Sequence, residues 1–367
     1  MKRVLLVAGE PSADSYGAEV VRNLKKLIPE ISIEGIGGDR LTAEGMHILQ
    51  HMDSLSVMGL AEAITSAPAH FHALRRIRRN LAGSRYDLAL LIDYPGFNLK
   101  VAKAAAASQI PVLYYVAPQL WAWNEQRSKN LKRDVTILAV VLPFEQPYFE
   151  RLGVTAKFVG HPLLDVPAPP AQASARHALG IAEQGPVLAL FPGSRRFEIE
   201  RLWGPFKDAA LRLRHRIPDL AVVVATLGNF RLPVDDFVWL RDDPSLVLAA
   251  ADAAICKSGT SVLQCALTDT PMVVAYKFHP LSYFFARRLV RIDRIALVNL
   301  ILEDSIVPEL IQDAVDGAAL ANATLPLLDP DHEAAAKQRR AFTELKQLLG
   351  RPGAGLRVAE LAAHLLG

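Results

Sequence analysis

The segment Leu190-Phe191-Pro192-Gly193-Ser194-Arg195-Arg196-Phe197-Glu198 takes an apolar run through Pro-Gly-Ser-Arg into a helical pattern. Free amides, the positive end of a helix and a fixed guanidinium make Gly193, Ser194 and Arg195 an anion site suited to phosphate. It lacks the Gly-Lys-Ser/Thr ending of a P-loop, which argues against ATP hydrolysis. Lys257-Ser258-Gly259-Thr260 makes the same strand-to-helix passage, and Gln264 falls one turn past Thr260 on the same face. Two such loops in one half of the chain suit a nucleoside diphosphate. No His, Cys, Asp and Glu set has metal-ligand spacing, and His70 and His72 read as solvated residues of a basic helix. Neither metal nor cofactor is expected, so the charge of a departing diphosphate falls to Arg195 and helix dipoles.

The first half of the chain offers acids. Gly9-Glu10-Pro11-Ser12-Ala13-Asp14 ends the first apolar run and is not a Gly-x-Gly-x-x-Gly fingerprint. Its small residues, Ser12 among them, permit close backbone approach, and Glu10 and Asp14 offer acceptors to sugar hydroxyls. Equally, Asp14 can satisfy helix amides. Gly35-Ile36-Gly37-Gly38, after the next strand, is as ambiguous. Asp93, in Leu91-Ile92-Asp93-Tyr94-Pro95-Gly96-Phe97-Asn98, ends a buried run, and an acid there is costly to desolvate without a partner or a task. It is the first choice for a general base; the alternative is a carboxylate capping the helix near Asn98. Trp121 and Trp123 follow another strand and either stack on a sugar, line an acyl groove, or belong to the core.

The elements that must position these loops alternate along the chain. Apolar runs at Arg3–Gly9, Asp87–Tyr94, Pro111–Ala117, Val135–Leu142, Lys157–Gly160, Pro186–Pro192, Leu220–Thr226, Ala251–Lys257 and Pro271–Lys277 read as buried parallel strands. Helical patterns such as Asn98–Ser108 and Glu198–Arg216 lie between them, which gives α/β architecture with two Rossmann-like lobes of parallel sheet and helices. The Pro-rich stretch 166–175 is the expected linker between lobes 1–165 and 176–345, and 346–367 reads as a helical tail. Gly228–Ser245 reads as weakly structured. Ligands then belong in a cleft at the carboxyl ends of the strands.

Forty-one basic against 38 acidic residues leave a net charge of +3, too balanced for a nucleic-acid binder. Cys256 and Cys265 alone cannot make a disulfide framework and read as buried thiols in a reducing cytoplasm. The apolar start at Arg3–Ala8 is too short for a signal peptide, and no run reaches the ~20 apolar residues of a membrane span. Two stretches near 71–79 and 281–294 mix arginines with Phe71, Leu74 and Ile77 or with Tyr283, Phe284 and Phe285. They fit either a membrane surface or core helices with a solvated face.

In their order, these loops and several others resemble lipid-A-disaccharide synthase, an inverting glycosyltransferase family of the GT-B fold. The resemblance rests on the loops above and on Val57-Met58-Gly59, Leu142-Pro143-Phe144-Glu145, Phe158-Val159-Gly160-His161-Pro162, Pro271–Tyr276 and Val307-Pro308-Glu309-Leu310-Ile311-Gln312. It implies transfer of 2,3-diacylglucosamine from its UDP donor to 2,3-diacylglucosamine 1-phosphate, giving a β-1,6-linked disaccharide 1-phosphate and UDP. It also implies Asp93 and Arg195 as essential residues, Met58 at the substrate, and Ser258–Thr260, Asn299 and Gln312 at UDP. The acceptor falls to the first lobe and the UDP-sugar to the second, at the inner face of the cytoplasmic membrane; a homodimer is compatible with it.

The sequence departs from the family pattern at Ala13, in place of a glycine, at Gln264, in place of a glutamate, and at Val298, in place of a proline that would stiffen a loop. These departures keep two alternatives open. One is a related enzyme, transferase or epimerase, acting on another UDP-amino sugar. The other is a non-catalytic paralogue that binds nucleotide-sugar or lipid.

Overall fold

The computed structural model describes residues 1–55, 60–83, 85–123, 125–193, 195–226, 237–241, 243–277 and 294–367. Contacts divide the chain into two compact units, Met1–Val166 with Leu349–Gly367, and Pro167–Leu348.

In the first unit, β1 (Arg3–Ala8), β2 (Ser32–Gly37), β3 (His47–His51), β4 (Leu88–Ile92), β5 (Val112–Tyr115), β6 (Ile137–Val140) and β7 (Ala156–Phe158) form one sheet. Its order is β3-β2-β1-β4-β5-β6-β7 and every neighbouring pair is parallel. Parallel pairing requires crossovers, supplied by α1 (Pro11–Leu27), α2 (Asp39–Ala43), α3 (Leu60–Ala82), α4 (Pro95–Ala107), α5 (Leu120–Trp123), α6 (Ser128–Asp134) and α7 (Glu145–Arg151). Leu74, Ile77 and Leu81 of α3 recur at helical spacing and share a core with Phe97, Val101 and Ala105 of α4.

The C-terminal helix, Ala354–Leu366, closes this unit rather than forming a tail of its own. Asp165 accepts hydrogen bonds from the amides of Gly353 and Gly355, and Arg357 Nε donates to the Val159 carbonyl at 2.8 Å. The helix runs so close to α1 that a Cβ on Gly355 would lie 2.9 Å from Cβ of Glu19.

The second unit repeats the plan. β8 (Val187–Phe191), β9 (Ala221–Thr226), β10 (Val238–Arg241), β11 (Ala253–Lys257), β12 (Met272–Tyr276) and β13 (Glu309–Ile311) lie in the order β10-β9-β8-β11-β12-β13, again all parallel. The helices described here are α8 (Gln172–Ala178), α9 (Arg196–Arg216), α10 (Pro244–Ala250), α11 (Thr260–Leu267), α12 (Leu297–Ile301), α13 (Gly317–Thr324) and α14 (Glu333–Leu348). Ile199, Leu202, Phe206, Ala209 and Leu213 form the stripe that α9 buries with Leu188, Leu190, Val222 and Val224.

Several expectations from the sequence are corrected. The Pro-rich 166–175 stretch is not linker throughout, since α8 begins at Gln172. Within 228–245, β10 and the start of α10 are ordered elements; the rest lies largely outside the described residues. Gly35–Gly37 falls inside β2 instead of following it. Val298 is not in a loop but fully buried in α12, entered directly from Ala296.

In each sheet the strand order reverses at one place, between β1 and β4 and between β8 and β11. Loops leaving the carboxyl ends of strands beside such a reversal are where open α/β sheets hold ligands. Those loops are Gly9–Glu10, Asp93–Tyr94, Pro192–Arg195 and Ser258–Thr260.

Candidate active site

Ala8 pairs with Ile92, so the loops after β1 and β4 leave the first sheet side by side. Asp93 and Tyr94 both take left-handed backbone, with φ of 49° and 53°, and Pro95 then opens α4. Two successive non-glycine residues in that region are costly and persist only where the surroundings hold them. Here the Asp93 amide donates to the Tyr115 carbonyl at 2.8 Å. The Asp93 carbonyl accepts from Asn98 Nδ2 at 2.7 Å and Tyr114 Oη at 2.8 Å. The half-buried Asp93 side chain is electrostatically close to Tyr16 and Tyr114. Burial first, and then the charge of Asp93, push both phenols above their ordinary range.

Tyr94 locks the two loops together. A Cβ on Gly9 would meet its ring, so only glycine fits beneath it. Tyr94 Oη lies 2.5 Å from His70 Nε2 on α3, and burial, then the charge of Glu10, push the phenol up to about 12. His70 is therefore not simply solvated; the sequence reading missed it as the partner of Tyr94. His72 is exposed.

Asp14 is buried, and its carboxylate accepts from the amides of Gly38 at 2.6 Å, Arg40 at 3.1 Å and Leu41 at 3.4 Å. It serves the first turn of α2, in keeping with the alternative in which Asp14 satisfies helix amides. Ala13 turns its methyl into the core at the same helix start, so the departure from glycine does not crowd the loop surface. Ser12 sits half-buried in the first turn of α1, beside Glu10 at the N-cap. Met58 lies outside the described residues. Trp121 packs edge-on against Phe144 at 5.1 Å and donates Nε1 to Glu145 Oε1 at 3.2 Å. Glu145 also accepts from the amides of Val141 and Leu142, and burial pushes its carboxyl up to about 7.

In the second unit, Gly193 has φ of 126°, and a Cβ there would lie 2.8 Å from Cβ of Glu198. The turn into α9 therefore requires glycine. Arg195 is the N-cap of α9, and its amide donates at 3.3 Å to Glu198 Oε2, the return contact of a capping box. Ser194 lies outside the described residues. Because Phe191 pairs with Cys256, the loop after β11 leaves next to this one. Ser258 is tied down, its amide to the Ala275 carbonyl at 3.0 Å and its Oγ to the Ile295 carbonyl at 3.2 Å. Gly259 is the N-cap of α11, Thr260 is exposed at its first position, and Gln264 is half-buried one turn on.

The side chain of Asn299, expected near UDP, is held by internal hydrogen bonds. Its Nδ2 donates to the Val307 carbonyl and Glu309 Oε1, both at 2.8 Å, and its Oδ1 accepts from the amides of Ile306 and Val307 at 2.9 Å. Both donors and both acceptor sites of the amide are thus used internally. Glu309 completes the same knot by accepting from the amides of Ile295 and Ala296. Gln312 follows β13 with φ of 55°.

The stretch near 71–79 belongs to α3, with Leu74 and Ile77 in the core and Arg75, Arg76, Arg78 and Arg79 exposed. Its apolar stripe therefore faces inward, and only Phe71, 62% exposed, is offered to a surface. The stretch 281–293 lies outside the described residues. Among the described residues, no helix is long and apolar enough to cross a membrane, and no group of three or more His, Cys, Asp and Glu could hold a metal ion.

The first unit thus presents a carboxylate on a strained, well-braced turn, and the second presents amides and cations at paired strand ends. Such parts serve proton removal and polyanion binding respectively. Over residues 4–354 the chain matches the family model for lipid-A-disaccharide synthetase. It is 41% identical over 368 residues to lipid-A-disaccharide synthase of Anaeromyxobacter dehalogenans (strain 2CP-C), covering 98% of this chain and 96% of that one. To the Chromohalobacter salexigens enzyme of the same name it is 39% identical over 377 residues, covering 99% and 97%. Among solved structures, UDP-GlcNAc 2-epimerase from Neisseria meningitidis bound to UDP-GlcNAc superposes with a TM-score of 0.62 at 11% identity, covering 100% of this chain and 99% of that one. The calicheamicin glycosyltransferase CalG4 gives 0.61 at 18%, covering 100% and 98%. The fold is that of these GT-B-like proteins, and by sequence the chain belongs to the lipid-A-disaccharide synthase family.

Proposed function

We propose that this chain is an inverting glycosyltransferase that moves 2,3-diacylglucosamine from its UDP donor to the 6-hydroxyl of 2,3-diacylglucosamine 1-phosphate. The family match over residues 4–354 carries this reading. In it, Asp93 takes the proton of the acceptor hydroxyl as that oxygen bonds to the donor's anomeric carbon from the face opposite the leaving group. The bond from that carbon to the phosphate oxygen breaks, and UDP leaves with its charge met by Arg195 and the amides of the Pro192–Arg195 and Ser258–Thr260 loops. The products are the β-1,6-linked disaccharide 1-phosphate and UDP.

The direct test mixes the purified chain with both acylated glucosamines without added divalent metal. Disaccharide and UDP formed in equal amounts support the proposal; UDP binding without disaccharide, or epimerised donor alone, overturns it.

Acylated sugars reside in a bilayer, and the reaction belongs at the inner face of the cytoplasmic membrane. Phe71 with Arg75, Arg78 and Arg79 on the exposed side of α3 supports contact with anionic lipid. Sedimentation with phosphatidylglycerol vesicles checks this: Phe71→Asp should reduce the bound fraction, and an unchanged fraction would remove α3 from the contact.

A further inference from the structure

The two loops assigned to the diphosphate are joined by a pair of charged side chains, Glu198 and Lys257. β11 is buried from Ala253 to Cys256 and ends in a cation, Lys257. Its Nζ lies 2.9 Å from Glu198 Oε1, while the other oxygen of Glu198 accepts from the Arg195 amide. The same ammonium stands 5.5 Å from the ring centre of Tyr276 at the end of β12, and 3.3 Å from where a Cβ of Gly259 would be. It therefore sits between the backbone of the Ser258–Thr260 loop and the carboxylate that caps the Pro192–Arg195 loop.

The Tyr276 hydroxyl, raised chiefly by burial, is raised further by Glu198 and lowered by Arg195 and Arg201, so these charged groups share one small region with Lys257. An ammonium also carries three donors, of which a carboxylate oxygen takes one.

We propose that Lys257 is a ligand of the donor's diphosphate, held between the two loops by Glu198 as its positioning residue. This rests on reading the second unit as the UDP-sugar side. Lys257 supplies a full charge where the loop amides supply only partial ones, and Glu198 and the Tyr276 ring restrict where that charge can point.

Calorimetric titration with UDP, UMP and uridine tests it. Lys257→Met should weaken UDP about ten- to a hundredfold, weaken UMP less and leave uridine unchanged. Lys257→Arg should recover most of the loss. Since Lys257→Met leaves Glu198 buried beside an apolar stem, the double variant Lys257→Met with Glu198→Gln serves where the single one fails to fold. UDP affinity within twofold of the unmodified chain in either variant overturns the proposal alone. Failure of the unmodified chain to bind UDP overturns it together with the donor-site reading.

Discussion

The ring of Tyr94 occupies the space that a side chain on Gly9 would need, with a Cβ there only 2.4 Å from Cδ1 of the tyrosine. The ring has little freedom to retreat, because its hydroxyl is held at 2.5 Å by His70. Gly9→Ala should therefore cost about 1–3 kcal/mol of stability through overpacking and displace the Asp93 turn. Turnover should fall about tenfold or more while UDP affinity stays constant. Steady-state kinetics beside calorimetry reads both, and normal turnover would mean that the turn tolerates the shift.

Asp93→Asn keeps the shape of the turn, whose backbone bonds do not involve the side chain. Turnover should drop by about 10²–10⁴ with donor KM nearly unchanged. Turnover near that of the unmodified chain would take the general-base role from Asp93.

Asp14→Ala separates a structural carboxylate from a ligand. Removing the acceptor of three α2 amides should cost about 1–3 kcal/mol, seen as a lower melting temperature, with Asp14→Asn intermediate. Donor and acceptor KM should stay within about twofold, the size of an incidental effect. A large rise in either KM with unaltered melting would return Asp14 to the substrate.

Glu145 and His161 give the first unit two opposed pH dependences. Burial raises Glu145 from 4.5 to about 7, so its contribution is complete below about 4.5 and is lost as pH rises through about 7. Burial lowers His161 from 6.5 to about 4, so its contribution is complete above about 6.5 and is lost as pH falls through about 4. Each is on the order of 1–3 kcal/mol at its extreme. Relative to the unmodified chain, Glu145→Gln should melt progressively higher from pH 5 to 8, and His161→Asn progressively higher from pH 7 to 4.5. Thermal scans across that range decide it; a constant offset would mean the group keeps its ordinary titration.

The strands flanking each order reversal were legible because they are buried on both faces and read as continuous apolar runs. β3 and β13 were not, since these edge strands are short, half-exposed and partly polar, and β10 lay hidden among prolines. The sequence also located the loops without saying where their side chains turn. Asp14 faces Gly38, and Tyr94 faces His70, through contacts that local spacing does not encode. For Asn299, a polar residue in a matching motif says nothing about Ile306 and Val307 folding back onto it. Two signals were available and unread: a glutamate three residues after the N-cap Arg195, and a lysine ending an otherwise apolar strand.

The return of the last helix to the first sheet has a consequence for synthesis. A ribosome makes that sheet before the second unit and the helix that lies along α1 after it. Until that helix emerges, α1 keeps a bare flank and Asp165 lacks the amides of Gly353 and Gly355, so an unfinished domain persists while the second is being translated. A premature stop codon just before that helix would consequently harm the unit bearing Asp93 and spare the unit bearing Arg195.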